Sequence, residues 1–224
     1  MTHEWEDSLI HERYHGPMDF RRPLEAVIPD AQGRLLGTLS RTTEELSLTT
    51  LADLSGVSLS HAARIVPRLV DLGIVERREV PPAVLVRLVP DNLAARVVLA
   101  LADLRHALFD ELRASARRLD PVPVNVTLFG SFARGDDDAS SDIDILVVRP
   151  TKIRDDDAAW SASVARWEAS VRRIAGNAVN RIEVDEEEVA RLVRSRRPLW
   201  QAIRRDGVTL QGRPFEEVGV AVGA

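Results

Sequence analysis

Gly130-Ser131 closes one apolar run, Val122 to Phe129, and ten residues later Asp142-Ile143-Asp144 opens another that continues to Val148. Glycine lets a backbone approach a ligand closely. A serine at what would be a helix N-terminus adds a hydroxyl to unpaired N–H groups that favour an anion. In a strand, residues two apart share a face, so Asp142 and Asp144 would project together, about 7 Å apart at Cα. Two carboxylates so placed repel one another unless a cation lies between them. Magnesium takes oxygen ligands, is commonly held by one or two carboxylates, and accepts substrate phosphates. A phosphate corner beside such a pair is a site for a nucleoside triphosphate. The competing reading is a hairpin whose two aspartates only solubilise an edge, and it gives no reason for the Gly-Ser corner. The run Asp136–Asp138 reads as exposed loop, and Arg134 as a further group for phosphate.

Gly130-Ser131, ten residues, then Asp142-x-Asp144, framed by "LFGSFARG" and "SDIDILVV", resembles the signature of the DNA polymerase β-like nucleotidyltransferase superfamily, in particular its minimal bacterial members. The resemblance spans 120 to about 212. It implies that Gly130 and Ser131 hold triphosphate oxygens and that Asp142 and Asp144 ligate metal, two magnesium ions serving the reaction. It also implies a third carboxylate from a later strand. After a helix expected over Ala158–Ala175, "NAVNRIEVDEEEVARL" offers Glu183, flanked by Ile182 and Val184, with Asp185 as the alternative where a helix begins. The implied chemistry is attack of a hydroxyl on the α-phosphate of an NTP, ATP by expectation, with pyrophosphate leaving and an NMP passing to a protein, RNA or small-molecule acceptor. Minimal nucleotidyltransferases often work in toxin–antitoxin or defence pairs, some with a HEPN-type protein partner.

The elements that must carry this site make a two-part chain of α+β class. Ala31–Leu39 has leucines at helical spacing, and Thr49–Gly56 reads as a short helix closed by glycine. Ser58–Leu72 is a second helix with Ala62, Ile65, Val66, Leu69 and Val70 along one stripe. Ile74–Val89 reads as two strands around Pro81-Pro82. Helix, short helix, turn, helix and hairpin resembles a bacterial winged helix-turn-helix regulator. That resemblance implies Ser58, Ser60, His61, Arg64 and Arg68 on the outer face of a recognition helix, with Arg77, Arg78 and Arg87 on a wing near DNA phosphates. Winged helices also serve as protein-docking modules, and Glu76 and Glu79 dilute the wing's charge. The expected organisation is an N-terminal arm over 1–25, a winged helix over 26–90, one connecting helix over 91–119, and a nucleotidyltransferase domain over 120–224, with a small mixed sheet flanked by helices. Leu93, Val97, Leu101, Leu104, Leu108 and Leu112 would form the core stripe of the connecting helix, which could also pair with its copy in a homodimer. Trp200 reads as a core residue.

Composition removes other chemistries. The 224 residues contain no cysteine, so disulfides, thiolate metal sites and thiol nucleophiles are excluded. Lys152 is the only lysine, and no G-x-x-x-x-G-K-[ST] phosphate loop occurs. A net charge of −5 opposes indiscriminate nucleic-acid binding but leaves room for a local basic face. No stretch reaches the roughly 18 apolar residues of a membrane span, and the acidic start is no secretory signal, so a cytoplasmic location is expected. His11-Glu12-Arg13-Tyr14-His15 fits the zinc motif H-E-x-x-H, but Gly16-Pro17 ends any helix there at once. The alternative to an active transferase is a DNA-binding transcriptional regulator whose nucleotidyltransferase-like domain only senses a nucleotide.

Overall fold

The computed structural model describes residues 18–222, so the H-E-x-x-H match at 11–15 and most of the expected N-terminal arm lie outside the described residues. The chain divides into two compact units: Arg22–Arg105, and the part from His106 onward together with 18–21.

The first unit runs α1 (Pro23–Val27), α2 (Asp30–Leu39), β1 (Leu46–Ser47), α3 (Leu48–Ser55), α4 (Leu59–Asp71), β2 (Val75–Val80), β3 (Ala83–Leu88) and α5 (Leu93–Ala102). Short polar residues start three of these helices, α3, α4 and α5. Ser47 Oγ accepts the Thr50 N–H at 3.0 Å and Ser58 Oγ accepts the His61 N–H at 3.3 Å. Each such cap satisfies an N–H that has no partner within the helix, at about 1 kcal/mol. Gly56 closes α3 at φ +61°, where a side chain would be strained. β2 and β3 form an antiparallel hairpin, and β1 pairs with the outer edge of β3 to give a three-stranded sheet ordered β1-β3-β2. Leu35, Leu36, Leu51, Ala62, Val66 and Leu69 lock the helices onto Val75, Val86 and Leu88 of this sheet. Each fully buried leucine contributes roughly 1.5–3 kcal/mol. This is the winged helix-turn-helix order, with α4 in the recognition position.

The single connecting helix expected over 91–119 is two helices. α5 stops at Ala102, Asp103 leaves helical geometry at φ −90°, ψ 11°, and α6 (Leu104–Ala116) follows. The physical reason lies in the two burial stripes. Ala95 and Val98 of α5 pack into the winged-helix core, whereas Leu108, Leu112 and Ala116 of α6 are buried in the second unit. Leu93 and Val97, expected on the core stripe, are 75% and 67% exposed.

After α6 the second unit runs β4 (Asn125–Phe129), α7 (Gly130–Arg134), β5 (Ile143–Arg149), α8 (Ala158–Ala175), β6 (Val179–Asp185), α9 (Glu186–Val193), α10 (Pro198–Asp206), β7 (Val208–Gly212) and α11 (Phe215–Val222). Its four-stranded sheet is ordered β6-β5-β4-β7, with β4 antiparallel to both β5 and β7, and β5 parallel to β6. Strand alternation divides the side chains between two faces. Phe129, Leu146, Val148 and Val184 share one face with a core from α9, α10 and α11 that includes Val189, Ile203, Phe215 and Val218. Trp200 belongs to that core and stacks on Phe215 with ring centroids 6.0 Å apart. On the other face α8 lies against the sheet, and its Trp167 Nε1 donates to Ser115 Oγ of α6 at 3.0 Å. No helix among the described residues is long and apolar enough to cross a membrane.

Candidate active site

The site forms where β4 ends and β5 begins. β4 is buried along its whole length and delivers the chain to Gly130, which takes φ +72°. Phe129 is the register partner of Asp144. A Cβ on Gly130 would therefore stand 2.1 Å from Asp144 Oδ2 and 3.0 Å from its Cγ. Two independent constraints select glycine here: the left-handed backbone, and the carboxylate that fills the space a side chain would need. Ser131 follows at half-buried depth, and α7 is a single short turn with no side-chain cap at its start.

The loop from α7 to β5 is built by its own side chains. Asp138 Oδ1 accepts from the Ser140 N–H at 2.8 Å and from the Ser140 and Ser141 hydroxyls at 2.7 and 3.2 Å. These bonds hold its carboxyl below the usual carboxylate range. Buried Asn177, which follows α8, donates Nδ2–H to the Ser141 carbonyl at 3.1 Å, and the Ile143 N–H donates to the Ala178 carbonyl at 2.8 Å. The exposed Asp142 is thus fixed from both sides although it lies just before β5 rather than within it. Asp137 was expected to be exposed loop, yet it is fully buried, while Asp136 and Asp138 are at the surface. A three-residue acidic run cannot place all its side chains alike once the loop turns, and the middle one points inward.

Burial raises the Asp144 carboxyl above its ordinary range, and repulsion from Asp142 adds to that; a hydrogen bond from Asn180 and the charge of Arg134 pull it back. Asn180 Nδ2 lies 3.1 Å from Asp144 Oδ1, and Asn180 is the register partner of Asp144 on β6. Arg134 is clamped by Asp136, its Nε and Nη2 donating at 3.0 and 3.1 Å, and its charge reaches Asp144. Asp142, exposed, and Asp144, half-buried, offer a hard, all-oxygen donor set, which suits a divalent ion such as magnesium.

Glu183 is not brought to this pair. It lies in β6 as expected, but its register partner is Val147, so it points to the α8 face of the sheet while Asp144 and Asn180 point to the other. There it accepts from Trp160 Nε1 at 2.8 Å and from Arg181 Nη1 at 2.5 Å, and it pairs with Arg149 Nε at 3.4 Å. The alternative, Asp185, is on the same face, pairs with Arg149 Nη2 at 3.0 Å and caps α9. No group of three or more Asp, Glu, His or Cys that could hold a metal occurs among the described residues. Asn177 and Asn180 escaped the sequence reading because an asparagine carries no charge signal. Counting two residues back from Ile182 along the face that alternation assigns to Asp144 would have reached Asn180.

In the first unit, Ser58, Ser60, Arg64 and Arg68 are exposed along α4, with His61 half-buried. Neither Arg64 nor Arg68 is in an ion pair among the described residues. Arg77, Arg78 and Arg87 lie on the hairpin as expected, and each is in an ion pair: Arg77 with Glu79 at 2.8 Å, Arg78 with Glu45, and Arg87 with Glu76. Positive charge is therefore concentrated on α4 and neutralised on the hairpin.

Comparison with known proteins agrees with this division. The family model of a nucleotidyltransferase domain matches residues 109–194, and that of an IclR helix-turn-helix domain matches residues 33–79. The two matches fall one in each unit of the chain. Among solved structures, it is similar to a toxin–antitoxin crystal structure with AMP-PNP (20% identity, 51% of this chain and 82% of that one, TM-score 0.36). It is also similar to a mutant toxin–antitoxin MntA-HpeT (17% identity, 51% and 82%, TM-score 0.35). A third likeness is to a protein of Sulfolobus solfataricus described as a nucleotidyltransferase (28% identity, 48% and 79%, TM-score 0.29). TM-scores this low place no constraint on the chemistry of the domain. Comparison with curated proteins returns no match.

Proposed function

We propose that the second unit binds a nucleoside triphosphate with its divalent ion between Gly130-Ser131 and Asp142/Asp144, and passes an NMP to an acceptor hydroxyl. One observation carries the reading. The Asp144 carboxylate lies so close to Gly130 that a phosphate held at Gly130-Ser131 would meet an ion held by Asp144. The N–H groups at the start of α7 and the Ser131 hydroxyl would hold phosphate oxygens. Asp142 and Asp144 would hold magnesium, which when bound neutralises phosphate charge and polarises the α-phosphate. Asn180 would steady the Asp144 carboxylate through its hydrogen bond to Oδ1. The acceptor class is a hydroxyl of a protein, RNA or small molecule, with ATP as the expected donor. A partner protein, as in toxin–antitoxin pairs, fits a chain whose other unit is a recognition module. The winged helix would bring the enzyme to DNA through Arg64 and Arg68 of α4.

A second reading, nucleotide sensing without transfer by a DNA-binding regulator, is favoured by Asn180 standing where a third carboxylate would face Asp144. Incubation with each labelled NTP, magnesium and candidate acceptors, beside an Asp142→Ala/Asp144→Ala variant, separates the two. Label transfer lost in the variant supports the enzyme. Metal-dependent binding without transfer to any acceptor supports the sensor.

A further inference from the structure

We infer that this site takes one divalent ion with its nucleotide rather than two, and that Asn180 is the residue that withholds the second. The inference rests on the nucleotide-binding reading above and concerns the ion count within it. On the face and edge where Asp142 and Asp144 lie, the strand neighbour of Asp144 is an amide. Its Nδ2 is 3.1 Å from Asp144 Oδ1, so an amide N–H already takes up that carboxylate oxygen. Turning the amide over would present a carbonyl oxygen, which is neutral where a carboxylate brings a full charge.

Four other acids of this unit, Glu183, Asp185, Asp136 and Asp206, are held by arginines instead. Glu183 and Asp185 point to the opposite face and are tied to Arg149. Asp136 is clamped by Arg134, and Asp206 is held by Arg205 through two bonds of 2.8 Å. Among the protein's own ligands, two carboxylates match the charge of one divalent ion, and a second ion would have to be held by the nucleotide alone. Affinity for hard cations follows the number of charged ligands. An ion held by Asp142, Asp144 and the triphosphate is therefore retained. An ion needing a third carboxylate to help hold it beside the acceptor hydroxyl is not. Asn180 thus sets the site toward gripping the nucleotide and away from fast activation of the acceptor.

The test counts manganese ions by electron paramagnetic resonance, with a non-hydrolysable NTP analogue at saturation, in the full chain and in Asn180→Asp. The expected result is one ion per chain in the wild type and two in the variant, with transfer by the variant raised on the order of tenfold or more. Two tightly held ions in the wild type would overturn the inference and leave the nucleotide reading intact. An unchanged count of one in the variant would overturn it as well, since Asn180 would not then be what withholds the second. Absence of metal-dependent analogue binding by the wild type would remove the functional reading, and this inference with it. Should the variant fail to fold by circular dichroism, the wild-type count alone decides.

Discussion

Replacing Gly130 by alanine would place a methyl carbon 2.1 Å from Asp144 Oδ2, 3.0 Å from its Cγ and 3.2 Å from its Cβ. Ordinary contact needs more than about 3.4 Å, so the carboxylate must retreat by over 1 Å. Rotating its tip is not enough, because Cγ and Cβ are crowded too, and Asp144 is anchored in a strand hydrogen-bonded on both sides. The backbone adds its own cost: a non-glycine residue at φ +72° loses roughly 1–2 kcal/mol. Gly176, the C-cap of α8, provides the control, with φ +76° and nothing within 4 Å of its added Cβ. Gly176→Ala should cost only the backbone term of about 1–2 kcal/mol. Gly130→Ala should cost that and a further ~1–3 kcal/mol for overpacking. A 1 Å displacement of a metal-binding carboxylate should also weaken metal-dependent nucleotide binding or turnover by about 100-fold. Urea denaturation gives the stabilities, and calorimetric titration with a non-hydrolysable NTP analogue gives the binding. Equal stability losses for the two variants, with analogue binding unchanged in Gly130→Ala, would refute the idea that the phosphate corner and Asp144 form one place.

Glu183→Gln should leave metal-dependent analogue binding within about twofold of wild type, because the side chain is on the far face of the sheet, while lowering stability through its contacts with Arg149 and Trp160 by roughly 1–2 kcal/mol; a collapse of binding in a folded variant would contradict the face assignment. The raised Asp144 carboxyl gives a pH signature in metal-free protein. Its protonated form is favoured by folding, so its contribution is fully present below the ordinary value of 3.8 and is lost as pH rises through the higher folded value. The difference in Tm between Asp144→Asn and wild type should therefore grow in favour of the variant from pH 4 to 7, and a flat difference would count against it. For the winged helix, Arg64→Ala/Arg68→Ala should weaken DNA binding and reduce the slope of log K against log salt by about 2. An unchanged slope would place the DNA contacts elsewhere.

Many elements were legible because periodicity and punctuation agree: in the first unit Ser58 at the start of α4, Gly56 as a stop and Pro81-Pro82 between strands, and in the second the uninterrupted apolar run after Asp144. Strand register was not. Which face of β6 carries Glu183 depends on a parallel pairing with β5 across the intervening helix α8, and a shift of one residue exchanges the faces. That is why a glutamate inside the correct strand is absent from the site and an asparagine three residues earlier is in it. The helix break at Asp103 was hidden for a related reason. Leu93 to Leu112 keep helical spacing throughout, and only the packing shows that they serve two different cores. Asp137 shows the limit of composition: three like charges in a row say nothing about which one the loop buries.

In the proposed function Gly130-Ser131 and Asp142/Asp144 together hold a metal–nucleotide complex. Calorimetric titration of the full chain with a non-hydrolysable ATP analogue, with and without magnesium, beside Asp142→Ala/Asp144→Ala, tests it directly. Saturable binding by the wild type only when magnesium is present, and none by the folded variant, is the predicted result. Binding of equal strength by the two proteins, or binding indifferent to magnesium, would contradict it.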